Sequence, residues 1–143
     1  MKTLRTRLAA LAAALLVAAC GGGGSDTTPA TRITSVKVFG DSLADSGTFR
    51  TPAGAKIRFT VQGAGTQIYP ERIAAAYGLP AMCPFFLFNG TTFVANPLET
   101  GCTNFAIGAA RINSIDPTIP AISPQRVGTQ IATAAAVGGG FGA

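Results

Sequence analysis

The chain opens with a continuous apolar block (residues 8–19), passes through a stretch rich in Gly, Ser and Thr (20–32), and then alternates short apolar runs with turn-forming segments. Ile33 to Phe39 is apolar and β-branched enough for a strand, and it runs into the polar turn Gly40-Asp41-Ser42. Residues 46–67 are rich in Gly, Thr and Pro and read as a loop excursion, within which a short strand is expected over Lys56 to Val61. Tyr69 to Tyr77 predicts a helix. Pro70 suits its first turn, Glu71 complements its positive end, and Gly78 and Pro80 stop it. Tyr69, Ile73, Ala76 and Tyr77 keep the spacing of one buried face. Thr103 to Ile107 predicts a second main strand. Ser123-Pro124 predicts a second helix start, with Val127, Ile131, Ala134 and Ala135 buried and Gly138 to Gly140 as the stop.

The aromatic stretch Pro84 to Phe88 fits either core packing or the lining of an acyl pocket, with core the expected role. Asn89-Gly90-Thr91 matches a glycosylation acceptor and is also a turn dipeptide, and the turn is the expected reading.

The amino-terminal block has the layout of an export signal rather than a folded element. Lys2, Arg5 and Arg7 precede an apolar run of about 12 residues, short of the roughly 20 that span a bilayer. Val17-Ala18-Ala19-Cys20 looks like a bacterial lipobox with Cys20 as the lipidated residue; ordinary cleavage beside small residues is the alternative. The expected organisation is a lipoprotein signal peptide over 1–19, a lipid anchor and flexible tether over 20–32, and a single domain over 33–143. Residues 21–24 are not a phosphate loop, because no Gly-Lys-Ser/Thr follows them.

Export changes the charge picture. The chain has 11 basic and 6 acidic residues; setting aside Lys2, Arg5 and Arg7 leaves 8 against 6, a balance of +2 without clusters. That gives no case for nucleic-acid binding. Two of the three cysteines, Cys83 and Cys102, then form an even pair in an exported domain. A disulfide is expected, with two buried free thiols as the alternative.

The candidate chemistry lies in two short runs. Val38-Phe39-Gly40-Asp41-Ser42-Leu43 puts a serine just past the carboxyl end of a strand, where α/β enzymes present nucleophiles. Helix capping is the plainer role for Ser42. Asp41 and Asp45 are four apart, and Leu43 and Ser46 break the pattern of a calcium loop, so no metal is expected. The chain has no histidine, the usual base that makes such a serine nucleophilic.

Gly40-Asp41-Ser42-Leu43 with Ala44-Asp45-Ser46-Gly47 resembles the first block of the GDSL (SGNH-type) lipases and esterases. Gly101-Cys102-Thr103-Asn104-Phe105-Ala106-Ile107-Gly108-Ala109 is similar to their second block, Asn-Phe-Ala-x-Gly-Gly-Ala, in the right order about sixty residues on. The resemblance covers roughly residues 33–137. It implies a three-layer α/β fold with a mostly parallel, flavodoxin-like sheet. It also implies acyl transfer on an ester or lipid substrate through Ser42, with no cofactor; the expected membrane contact comes from the lipobox, through lipidated Cys20.

By the same resemblance, Ser42 supplies the nucleophile and one oxyanion N–H. A second N–H comes from the second block, at Ala109 by alignment on Asn104, or at Gly108; Gly40, Asp41 and Asn104 support the site. The family's third block, Gly-x-Asn-Asp, and its last, Asp-x-x-His, have no counterpart. The chain is therefore expected to be the amino-terminal part of an ester hydrolase, cut after the second block and inactive alone. The alternative is a non-catalytic cell-envelope lipoprotein derived from one.

Overall fold

The structure is a computed structural model and describes residues 32–63, 65–113 and 117–138. The expected signal segment, Cys20 and nearly all of the expected tether lie outside the described residues. The elements run β1 (Phe49–Arg50), β2 (Lys56–Ile57), α1 (Tyr69–Ala76), β3 (Phe86–Phe88), β4 (Phe93–Ala95) and α2 (Val127–Val137).

The expected three-layer fold with a mostly parallel sheet is not what forms. Among the described residues there are two separate two-stranded antiparallel sheets, β1–β2 and β3–β4, and no parallel sheet. Parallel pairing among them is confined to isolated bridges, Val38 with Asn104, Pro84 with Asn104 and Arg111 with Arg126. Ile33–Phe39 and Thr103–Ile107 are thus extended segments rather than the two main strands expected of them. The physical reason lies in pairing. Residues 32–35 are exposed, and the backbone pairing between the two segments comes down to three bonds. These are Val38 N–H to Thr103 C=O, Phe105 N–H to Val38 C=O and Ile107 N–H to Gly40 C=O. A parallel sheet needs long crossovers and cover on both faces, whereas antiparallel pairs close through local turns.

Those turns follow from sequence. In Thr51-Pro52-Ala53-Gly54, Gly54 N–H donates to Thr51 C=O at 2.8 Å, with Pro in its favoured second position and Gly in the fourth. Across β3–β4, Asn89 Oδ1 accepts from Thr91 N–H and Thr92 N–H at 3.0 and 2.9 Å, so the Asn-Gly pair serves as a turn.

The 103–107 segment divides two small cores, as alternate residues of an extended chain must. Ala106 joins Val38, Ala44, Met82 and Ala74 of α1. Phe105 and Ile107 join Phe86 and Ala134 of α2, with Phe39, Phe49, Phe85 and Phe93 packed around them. Phe85 stacks on Phe105 at 4.6 Å between centroids, so most of the aromatic stretch is core. A disulfide joins Cys83 to Cys102 beside this segment.

α1 turns a different face inward from the one its apolar spacing predicts, whereas α2 buries Ala134 of its predicted face and leaves Ile131 and Ala135 exposed. In α1 the buried residues are Pro70, Glu71 and Ala74, while Tyr69, Ile73 and Tyr77 are each 43–55 % exposed. Glu71 decides this register. Its Oε1 pairs with Arg58 at 2.9 Å and its Oε2 accepts the Ile68 N–H at 3.0 Å, capping the helix from inside. In α2 the buried residues are Gln130 and Ala134, and Ile131 is 42 % exposed. α2 also starts at Val127, not at Ser123-Pro124. Arg126 is still extended, because Arg111 pairs with this strand-like stretch on both sides (Arg111 N–H to Gln125 C=O, Val127 N–H to Arg111 C=O). Gly138 caps the helix, and Gly139 and Gly140 lie outside the described residues.

Candidate functional site

Gly40 carries φ +142°, a backbone setting that side-chain-bearing residues rarely adopt, and it turns the chain out of the Val38 bridge. A single turn follows, with no helix for Ser42 to cap. Ala44 N–H donates to Asp41 C=O at 3.1 Å, and Leu43 N–H to Asp41 Oδ1 at 3.0 Å. Asp41 is therefore a local turn former. Ser42 lies in the middle of this turn, half-buried, with neither its N–H nor its hydroxyl engaged by any described residue.

The turn is fixed from the second block. Asn104 is completely buried; its Nδ2 donates to Ala44 C=O at 2.7 Å and its Oδ1 accepts the Ala106 N–H at 3.0 Å. Asp45 is also completely buried. Its Oδ1 accepts from Gly47 N–H and Thr48 N–H at 2.8 and 2.7 Å, and its Oδ2 from Gly108 N–H at 2.8 Å. Three short backbone bonds solvate this carboxylate in place of water, so Asp45 is an organiser of the two blocks and not half of a metal pair.

The same bonds separate the two candidate oxyanion donors. Gly108 has its N–H committed to Asp45. Its lack of a side chain serves packing, since a Cβ there would lie 2.5 Å from a ring carbon of Phe59 and 3.2 Å from one of Phe49. Ala109 follows in the turn closed by Ala110 N–H on Ile107 C=O. Its φ is +65°, unique among the described non-glycine residues; Ala109 is exposed and its N–H donates to no described group. Ser42 and Ala109 each lie two residues beyond the last bond, Ile107 N–H to Gly40 C=O, that joins their two segments. The turns that carry them leave the same end of that parallel pair, as a nucleophile and an oxyanion donor require.

Phe49, whose ring edge meets Gly108, also lines an open hollow of about 640 Å3, with Phe88, Phe93 and Ile122 on its apolar side and Thr91, Thr118 and Gln125 on its polar side; neither Ser42 nor Ala109 lines it. Away from this region, Glu99 bridges the like charges that face each other across β1–β2, with Oε2 3.0 Å from Arg50 and Oε1 2.7 Å from Lys56. Partial burial pushes its pKa up, but the hydrogen bond and charge of Lys56, then hydrogen bonds from Asn96 and Arg50, outweigh that. Its carboxyl lies below the ordinary range.

Sequence reasoning missed one residue that the structure brings to the site. Gln130, 90 positions from Gly40, is completely buried and bonded to it. The only local signal was an isolated amide in the otherwise small and apolar helix Val127–Val137.

Compared with protein-family models, curated proteins and solved structures, the chain matches none. The resemblance to GDSL hydrolases rests on the two blocks themselves.

Proposed function

We propose that this chain carries the nucleophile side of a GDSL-type ester hydrolase. The observation that carries the reading is the disposition of Ser42 and Ala109 in two turns at one end of a parallel pair. No described residue engages the Ser42 hydroxyl or the Ala109 N–H, while the neighbouring Gly108 N–H is already used by Asp45. In the proposed reaction a base takes the Ser42 hydroxyl proton and Oγ bonds to the ester carbonyl carbon. The oxyanion then collapses, the carbon–oxygen bond to the alcohol breaks and the alcohol leaves with the proton. Water attacks the acyl-serine in the same way, releasing the acid and restoring Ser42. The base is an imidazole from outside these residues, since the sequence has no histidine. The Cys83–Cys102 disulfide supports an oxidising, extracytoplasmic setting, in keeping with export and a lipid anchor at Cys20.

The test is ester turnover with an external base. With a short-chain p-nitrophenyl ester and no imidazole, the chain and Ser42→Ala should release p-nitrophenol at the same rate. Added imidazole should raise the chain above Ser42→Ala, because it replaces the missing base. Equal rates at every imidazole concentration would overturn the reading and favour a non-catalytic envelope lipoprotein, which the absence of histidine fits. Ser42-dependent turnover without imidazole would overturn the requirement for an external base.

A further inference from the structure

We propose that Gln130 is a positioning residue for the nucleophile turn, acting through the backbone of Gly40; this rests on the ester-hydrolase reading of Ser42. Its Oε1 accepts the Gly40 N–H at 2.9 Å, and its Nε2 donates to Gly40 C=O at 3.0 Å and to Pro124 C=O at 2.9 Å. One side chain thus takes both polar groups of a single residue, as a neighbouring strand would.

Gly40 needs such a partner. At φ +142° it has left regular strand geometry, and its own segment supplies no acceptor for its N–H. Leaving that donor unpaired in a part-buried place would cost stability and let the turn wander. Only a primary amide offers a donor and an acceptor side by side. A carboxylate at 130 would turn lone pairs toward the Gly40 and Pro124 carbonyls, and an aliphatic chain would pair with neither.

The other end of the turn is held in the same manner. Asn104 Nδ2 grips Ala44 C=O at 2.7 Å, so two buried amides from distant segments clamp Gly40 and Ala44, with Ser42 midway between them. The direction of the Ser42 Oγ is set by the backbone angles of residues 40–42. Nucleophilic attack is sensitive to displacements of about 1 Å, which can cost on the order of a hundredfold in rate. Gln130 therefore aims Ser42 without touching the substrate.

The test compares Gln130→Met, which keeps the volume and loses the hydrogen bonds, with Ala134→Gly. The latter loosens the same helix one turn on and leaves Gly40 alone. Three readouts are taken at a temperature where all variants are folded by circular dichroism. They are the limiting rate of Ser42 phosphonylation by a fluorophosphonate probe with imidazole present, the probe concentration for half-maximal rate, and amide exchange at Gly40, Ser42 and Leu43. Gln130→Met should lower the limiting rate about tenfold or more with the half-maximal concentration unchanged, and speed exchange at Gly40. Ala134→Gly should stay within about twofold of the wild type. Equal losses in both variants, or a Gln130→Met protein with the wild-type rate and protected Gly40, would overturn the positioning role. A wild type that does not label refutes the hydrolase reading alone, and Gly40 exchange then still decides whether Gln130 holds the turn.

Discussion

Ala109→Gly should make this domain more stable, against the usual direction of alanine-to-glycine changes. Ala109 is held at φ +65°, the left-handed region, at the turn position where a positive φ favours glycine. Holding an L-residue there costs roughly 1–2 kcal/mol through the clash of Cβ with the following carbonyl. Glycine removes that cost but adds about 0.4–1 kcal/mol of chain freedom to the unfolded state. Ala109 is exposed, so almost no apolar contact is lost with its methyl group. The net gain is about 0.5–1 kcal/mol, a rise of roughly 2–5 °C in Tm for a domain of this size. Thermal unfolding followed by circular dichroism measures it. Ala132→Gly, at an exposed position within α2, is the control and should lose about 1 kcal/mol. If Ala109→Gly lowers Tm as the helix control does, position 109 is not strained and the proposed donor geometry is wrong.

Three further outcomes follow from the same contacts. Asp45→Asn should destabilise the domain by about 2–3 kcal/mol in denaturant titration, because an NH2 group must replace an acceptor facing backbone N–H donors. Glu99→Gln should cost about 1 kcal/mol near neutral pH by leaving Arg50 and Lys56 opposed. Because the folded Glu99 pKa is lowered, its stabilisation is fully present above the unfolded carboxylate value near pH 4. It is lost as pH falls through the folded value, so wild type and variant should converge only once pH is below that lowered value. Cys83→Ala should lower stability by about 3 kcal/mol on the chain-entropy model for a 19-residue separation, and dithiothreitol should lower the wild type by a similar amount.

Local signals in this sequence were legible and long-range ones were not. The limits of α1 followed from Pro70, Glu71 and Gly78, and the β3–β4 turn from Asn89-Gly90, because each depends on neighbouring residues. The inward face of α1 did not follow from apolar spacing, and that of α2 followed only at Ala134. Glu71 is buried because Arg58, 13 residues earlier, neutralises it, and Gln130 because Gly40, 90 residues earlier, needs its amide. A partner at such a distance leaves no trace in the periodicity of a helix. The parallel sheet was expected from two apolar runs and a resemblance, yet Val38 and Asn104 make only an isolated bridge. Within the site, Ser42 and the second block stood out in the sequence. The commitment of Gly108 to Asp45, which leaves Ala109 as the unengaged donor, is a property of the folded turn.

The central claim is that Ser42 is the nucleophile, and the most direct measurement is which serine a fluorophosphonate modifies. The protein is treated with the probe in imidazole buffer, digested, and mapped by mass spectrometry. The account predicts one adduct, on the peptide that contains Ser42, with the exposed Ser35 and the buried Ser46 and Ser123 unmodified. Labelling spread over surface hydroxyls, or an adduct that persists undiminished in Ser42→Ala, would contradict it.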